Sequence, residues 1–199
     1  MKTMISDIKT RTNVILANFK FLSLDSRIRI FNTNCTSFYG SNLSDLQSTA
    51  IRDLDKAWRV CSRRLLGVSE RTHCNLIPSL MSTLSPSKEI MNRMLSFFKS
   101  GYAHSSKTIT FYFKNCLLNK ESIMYKNLSV MSQVLDLNFN HLLVVTKKEI
   151  KRKLMNIDES QEKWRVKFIK EAIDCKENFL HCNFNSIQLK TVLDSLCID

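Results

Sequence analysis

The chain has 199 residues, and its hydrophobic content of 44% is enough for the core of one ordinary domain or two small ones. A total of 30 lysines and arginines against 18 aspartates and glutamates gives a net charge of +12, which favours anionic partners such as polyphosphate backbones. No window approaches the ~20 apolar residues of a membrane span, and the N-terminus lacks a secretory signal. The seven cysteines are irregularly spaced, which argues against a disulfide framework. We therefore expect an intracellular protein of the nucleus or cytoplasm without a membrane partner.

The first two predicted elements are amphipathic helices. Only 3 glycines and 2 prolines are present, and this scarcity of turn residues favours helices over short-stranded sheets. Apolar residues at helical spacing predict a first helix over about residues 6–22. A second helix is predicted to begin at Asp25 or Ser26, whose side-chain oxygens can cap it, and to end at Gly40.

The third predicted helix, over residues 48–66, has the clearest pattern in the chain. Its apolar residues are spaced four, three and four apart and fall within about 60° of one another at 100° per residue: Leu54, Trp58, Cys61 and Leu65. Its cations have the same spacing and lie nearly opposite: Arg52, Lys56, Arg59 and Arg63. The pattern predicts one face in the core and four cations in solvent, with Gly67 as the C-terminal cap.

Two interpretations of these four cations remain open. Charged faces are the default on surface helices, so the plain interpretation is a solvated face that keeps the protein soluble. The functional interpretation rests on the single sign of the row, because such a row costs self-repulsion that an anionic ligand would relieve. Asp53 and Asp55 are predicted to lie off this row as surface acids near the N-terminal end of the helix.

The predicted helices continue to the C-terminus. Thr72 is predicted to cap an apolar helix, and Pro86 to begin the next one. Residues 108–113 have strand propensity, but no partner strand is evident, so a helix is predicted there too. Asp158 or Ser160 should begin another helix, and residues 186–196 should form the last. The sequence therefore predicts an all-α fold, an irregular bundle of about seven to nine helices.

A second basic cluster lies in the last third of the chain, with Glu149 as its single acid. On a helix its members would repel one another at i,i+4 spacing. We include it with the first row as a candidate nucleic-acid contact; the cluster consists of Lys147, Lys148, Lys151 and Arg152, with Lys153 beside them.

The sequence carries no recognisable catalytic or metal-binding pattern. The chain shows no converging carboxylates for two-metal chemistry, no phosphate-binding glycine loop and no His-Glu-x-x-His pattern. His73 beside Cys74 is interpreted as a local structural residue. The C-terminal thiols and histidine lack a tight Cys-x-x-Cys pair, so no metal or other cofactor is expected; these residues are Cys175, His181, Cys182 and Cys197.

Several residues between positions 10 and 105 match, in order and spacing, the region after the polymerase palm of LINE-type (non-LTR) retrotransposon reverse transcriptases. The matching residues are Phe31, Cys35, Tyr39, Gly40, Ser41, Leu43, Trp58, Arg59, Arg63, Arg64, Gly67, Thr72, His73, Leu76 and Pro78. The chain departs from the family at Ser44, where tryptophan is usual. The resemblance implies a thumb-like helical segment over 1–46 and a connecting helical region with the basic helix over 47–119, followed here by a C-terminal basic helical segment over 120–199.

In that family the palm and its metal-binding aspartates lie upstream of this region. The resemblance therefore implies a non-catalytic piece of a larger polymerase, expected to bind RNA or an RNA–DNA duplex weakly and without sequence preference. Two alternatives are an α-helical structural or protein-interaction module whose charge is incidental, and a retroelement remnant without function.

Overall fold

A computed structural model describes residues 2–159, 169–170 and 173 of the chain. Within this part every regular element is helical and no strand is present, which confirms the all-α prediction. The elements are α1 (Lys2–Asn18), α2 (Leu24–Cys35), a short 3-10 turn (Ser41–Leu43), α3 (Thr49–Leu66), α4 (Leu76–Leu80), α5 (Pro86–Tyr102), α6 (Lys107–Leu118), α7 (Ile123–Leu135), α8 (Phe139–Val144) and α9 (Lys147–Glu159).

Two helices, α3 and α5, are central to the packing. Helix α3 contacts α1, α2, α4 and α5, whereas α5 also contacts α6, α8, α9 and the 3-10 turn. Trp58 of α3 and Met94 of α5 are fully buried, and buried apolar residues from Ile8 to Ile173 form one contiguous cluster. The core is therefore built around α3 and α5, and α1 covers one side of α3.

The second helix ends earlier than predicted. Helix α2 stops at Cys35, five positions before Gly40, yet Phe38 remains buried. Gly40 does adopt a positive φ of 74°, but it does so at the entrance to the 3-10 turn. The hydroxyl of Ser41 donates to the Phe38 carbonyl at 2.7 Å and stabilises this turn. The apolar spacing that suggested a longer helix thus continues through a turn that returns Phe38 to the core.

The later elements agree with the predicted helices in part. Residues 108–113 lie in α6, so the helix prediction is confirmed there. Helix α4 begins at Leu76 with Asn75 as its N-cap residue, so the prediction that Thr72 caps it is wrong. Asp158 lies inside α9 rather than at the start of another helix. The predicted helix after it and the last one, over 186–196, fall largely outside the described residues.

Among the helices of the described ranges, none combines the length and the apolar character that crossing a membrane requires.

Candidate nucleic-acid interface

Helix α3 separates its apolar and cationic sides as the sequence predicts. Trp58 and Leu54 are 0% exposed, and Cys61 and Leu65 are buried with them. Gly67 ends the helix at a φ of 65°, and its N–H group bonds back to the Arg63 and Arg64 carbonyls. The buried Trp58 fixes the rotation of α3 about its axis, so the opposite side of the helix has to face outward.

Three of the four predicted cations of α3 lie at the surface. Arg52 and Lys56 are exposed and Arg59 is half-buried. Lys56 lies 3.5 Å from the Asp53 carboxylate on the preceding turn, with both side chains largely in water. An exposed pair of this kind contributes little, so Lys56 can exchange its partner for a phosphate at small cost. We call Arg52, Lys56 and Arg59 the α3 cation row.

Arg63 has a different role from the one its spacing suggested. Its Nε and Nη2 groups both donate to the carbonyl of Thr72, at 3.1 and 2.7 Å. Partial burial lowers the pKa of Arg63, although guanidinium keeps its charge at neutral pH. The side chain closes the loop that follows α3, and we therefore leave it out of the α3 cation row.

Asp55 also differs from expectation. The prediction placed it as a surface acid serving its own helix, but its carboxylate accepts a hydrogen bond from the Ser87 N–H at 3.0 Å. Ser87 lies in the first turn of α5, where free N–H groups and the helix dipole favour a negative charge. Asp55 thus caps a neighbouring helix and joins the two central helices.

The second basic cluster lies on the exposed side of α9. Its four members, Lys147, Lys148, Lys151 and Arg152, are exposed. Ile150 lies between them in sequence and Leu154 follows two positions after Arg152, and both are buried, which anchors the helix. Helix α9 packs against α4, α5 and α7, whereas the α3 cation row lies on a helix that packs against α1, α2, α4 and α5. The two sets of cations therefore occupy different helices that share α4 and α5 as neighbours.

The structure also brings together residues that the sequence analysis did not connect. Lys147 lines the same groove over α5 as Tyr39 and Leu43, which are more than a hundred positions away in the chain. No local pattern of the sequence indicates this groove, because its lining residues come from distant segments.

Neither His73 nor the thiols form a catalytic arrangement among the described residues. The Nδ1 atom of exposed His73 accepts from the Asn75 N–H at 3.4 Å, which confirms the predicted local structural role. Burial raises the pKa of the Cys35 thiol to about 11, and this disfavours the nucleophilic thiolate. No group of three or more potential metal ligands occurs within the described ranges. Cys175, His181, Cys182 and Cys197 lie outside them.

No family model, no curated protein and no solved structure matches the chain. The resemblance to the region after the palm of LINE-type reverse transcriptases therefore stays a prediction.

Proposed function

We propose that the chain is a non-catalytic helical module that binds the backbone of RNA or RNA–DNA duplexes weakly and without sequence preference. In this proposal it corresponds to the thumb and post-thumb region of a LINE-type reverse transcriptase. The observation that supports it is the orientation of α3, in which Trp58 is completely buried on one side while the α3 cation row lies at the surface on the other.

The spacing of the α3 cation row suits a phosphate backbone. Arg52 and Arg59 are seven positions apart, which corresponds to about 10 Å along a helix at 1.5 Å per residue. One strand of a duplex carries a charge about every 3.4 Å along its axis, so the row can follow consecutive phosphates. Such contacts hold the register of a duplex but carry no information on base sequence.

The cations of α9 form a second positively charged surface. With Lys147, Lys148, Lys151 and Arg152 exposed on one short helix, their mutual repulsion is relieved when an anionic strand approaches. We expect them to add to the salt dependence of binding without adding sequence preference.

The test is a salt titration of duplex binding. The observed association constant should fall linearly on a double-logarithmic plot, with a slope of about −0.9 for each phosphate neutralised. The triple variant Arg52→Glu, Lys56→Glu, Arg59→Glu should abolish binding while its helical circular dichroism stays unchanged. Arg63 is left intact because it closes the loop at Thr72.

A matched control separates this local effect from net charge. Lys9, Lys20 and Lys120 are exposed lysines outside both basic sets, and reversing all three to Glu changes the net charge of +12 by the same amount as the first triple variant. This control should retain most of the affinity. Equal losses in the two variants would show that only the overall charge matters, and the α3 cation row would have no specific role.

A second candidate is a protein-interaction module, and helix α6 favours it. Phe111 is 67% exposed and Leu118 is 80% exposed on the outer side of α6, with Tyr112 beside them at 59%. Contiguous exposed apolar side chains often mark protein contacts. This candidate predicts no salt-dependent affinity for nucleic acid, so the same titration distinguishes the two functions.

A further inference from the structure

An open groove with a volume of about 530 Å³ lies over α5. One wall comes from residues 38–43, the floor comes from α5, and Lys147 at the start of α9 closes one end. Lys99 of α5 donates to the Val145 carbonyl, two positions before Lys147, and thereby holds the start of α9 beside the groove.

The groove presents aromatic and apolar surface. Tyr39 on its rim is 92% exposed, although the preceding Phe38 is buried. Phe97 on the floor is half-buried, and its ring is held edge-on by Phe113 at a centroid distance of 5.4 Å. Leu43 adds an exposed aliphatic side chain. Phe97 is held in place by its contact with Phe113, so a flat ring can pack on it at low entropic cost, whereas the exposed side chain of Tyr39 becomes ordered only on binding.

The charge of the groove selects for an anion. Arg93 of α5 lines the groove, but its charge is already paired with Glu89 at 2.8 Å and its guanidinium lies over the Phe38 ring. Lys147 is exposed and makes no ion pair with any residue of the described ranges. Among the described residues, no carboxylate side chain lines the groove. A ligand with a negative group close to a planar ring would satisfy both features.

From these observations we infer that the groove binds a nucleotide, with the base on Tyr39 and Phe97 and the phosphate on Lys147. The hydroxyl of Ser96 donates to the Asn92 carbonyl at 2.9 Å, so its lone pairs are left to accept hydrogen bonds from a base or ribose. The amide of Asn42, in the wall formed by residues 38–43, can donate and accept. The ligand is either a free nucleotide or an unpaired nucleotide of an RNA strand, and the second source rests on the proposed function.

The experiment measures binding of three probes to the full chain: AMP, a short single-stranded RNA and the corresponding RNA duplex. Alanine substitution of a ring that stacks on a base typically weakens binding by roughly 5- to 150-fold, so Tyr39→Ala should weaken AMP and single-strand binding by about fivefold or more. Lys147→Ala should weaken both probes too, and Tyr39→Phe should restore wild-type affinity. Duplex affinity should be unchanged in both Tyr39 variants.

Two control substitutions are available at exposed residues outside the groove. Phe21 is 77% exposed and Lys120 is exposed, and neither lines the groove. Phe21→Ala and Lys120→Ala should leave the affinity for AMP unchanged. If Tyr39→Ala behaves like Phe21→Ala with both AMP and single-stranded RNA, the inference is overturned.

The remaining outcomes identify the source of the ligand. Weakening of both probes by Tyr39→Ala indicates that the groove accepts the nucleotide from either source, whereas weakening of the single strand alone indicates an unpaired nucleotide within RNA. The triple reversal of the α3 cation row should remove duplex binding and preserve AMP binding. Failure of the proposed function at α3 would therefore be distinguishable from failure of the groove.

Discussion

Asn127 of α7 holds the backbone at Leu46 through its side-chain amide. Its Oδ1 atom accepts from the Leu46 N–H at 3.0 Å, and its Nδ2 atom donates to the Ser44 carbonyl at 2.8 Å. Asn127 is 1% exposed and its bond to the Leu46 N–H is buried, whereas its bond to the Ser44 carbonyl is partly buried. A single buried side chain thus ties the connection before α3 to a helix some eighty positions later in the chain.

Asn127→Ala should be strongly destabilising. The buried Leu46 N–H would lose its partner, and an unsatisfied buried group costs about 1–3 kcal/mol. We expect the free energy of unfolding in urea to fall by roughly that amount or more. Asn140→Ala is the control because Asn140 is exposed on α8, and its effect should stay within about 0.5 kcal/mol. Equal effects of the two substitutions would contradict the assigned role of Asn127.

Gly101 has to be small because the Phe113 ring lies directly against it. A Cβ atom at Gly101 would come within 2.2 Å of that ring. Alanine favours a helix over glycine by about 1 kcal/mol, whereas overpacking costs about 1–3 kcal/mol, so Gly101→Ala should be destabilising on balance. Adding Phe113→Leu should make the alanine substitution less costly than it is in the wild-type background. A thermal-unfolding double-mutant cycle measures this coupling, and additive effects would refute it.

Arg63 and Arg64 are adjacent but should respond differently to substitution. Arg63→Gln removes the paired hydrogen bonds to the Thr72 carbonyl and should lower the free energy of unfolding by about 1–3 kcal/mol. Arg64 is exposed, and Arg64→Gln should change stability by less than about 0.5 kcal/mol. Chemical denaturation of both variants checks the prediction. If Arg63→Gln were as stable as the wild-type protein, Arg63 would be as available for a ligand as the α3 cation row.

Cys35 should make the fold sensitive to alkaline pH. Burial raises the pKa of its thiol from 9.0 to about 11, and the nearby Arg11 offsets only part of this effect. Between these values the unfolded chain loses the proton while the folded chain keeps it, so stability should fall as pH rises, by at most about 1.4 kcal/mol per pH unit. Between pH 9 and 11 the free energy of unfolding should therefore fall less steeply for Cys35→Ala than for the wild-type protein. Parallel pH dependences of the two proteins would contradict the shift.

The same burial predicts a pattern of thiol reactivity. Cys35 and Cys61 are buried, whereas Cys74 and Cys116 are partly exposed. Brief treatment of the native protein with iodoacetamide near neutral pH should modify the second pair and spare the first. Peptide mass spectrometry reads this directly, and repeating the reaction in denaturant should modify all four. Early modification of Cys35 in the native protein would show that its surroundings open.

The local patterns of the sequence predicted the helices α1 to α6 but not all of their ends, and they predicted neither α7 nor α8. The buried side and the glycine cap of α3 follow from residue spacing alone, because both depend on contacts within one or two turns. The end of α2 does not, since Phe38 reaches the core from a turn with the same spacing that a helix would give. The groove that Lys147 and Tyr39 both line is likewise not predicted by any local pattern of the sequence.

Composition and periodicity by themselves determined that this chain is helical, basic and amphipathic at α3, because these properties are carried by neighbouring residues. Only the tertiary structure decided which charged groups remain available. Arg63 is committed to the Thr72 carbonyl and Asp55 to the first turn of α5, although their sequence positions suggested free surface charges. The physical reason is that a charged side chain bonds to whatever backbone group the fold places within reach, and residues distant in sequence supply that group.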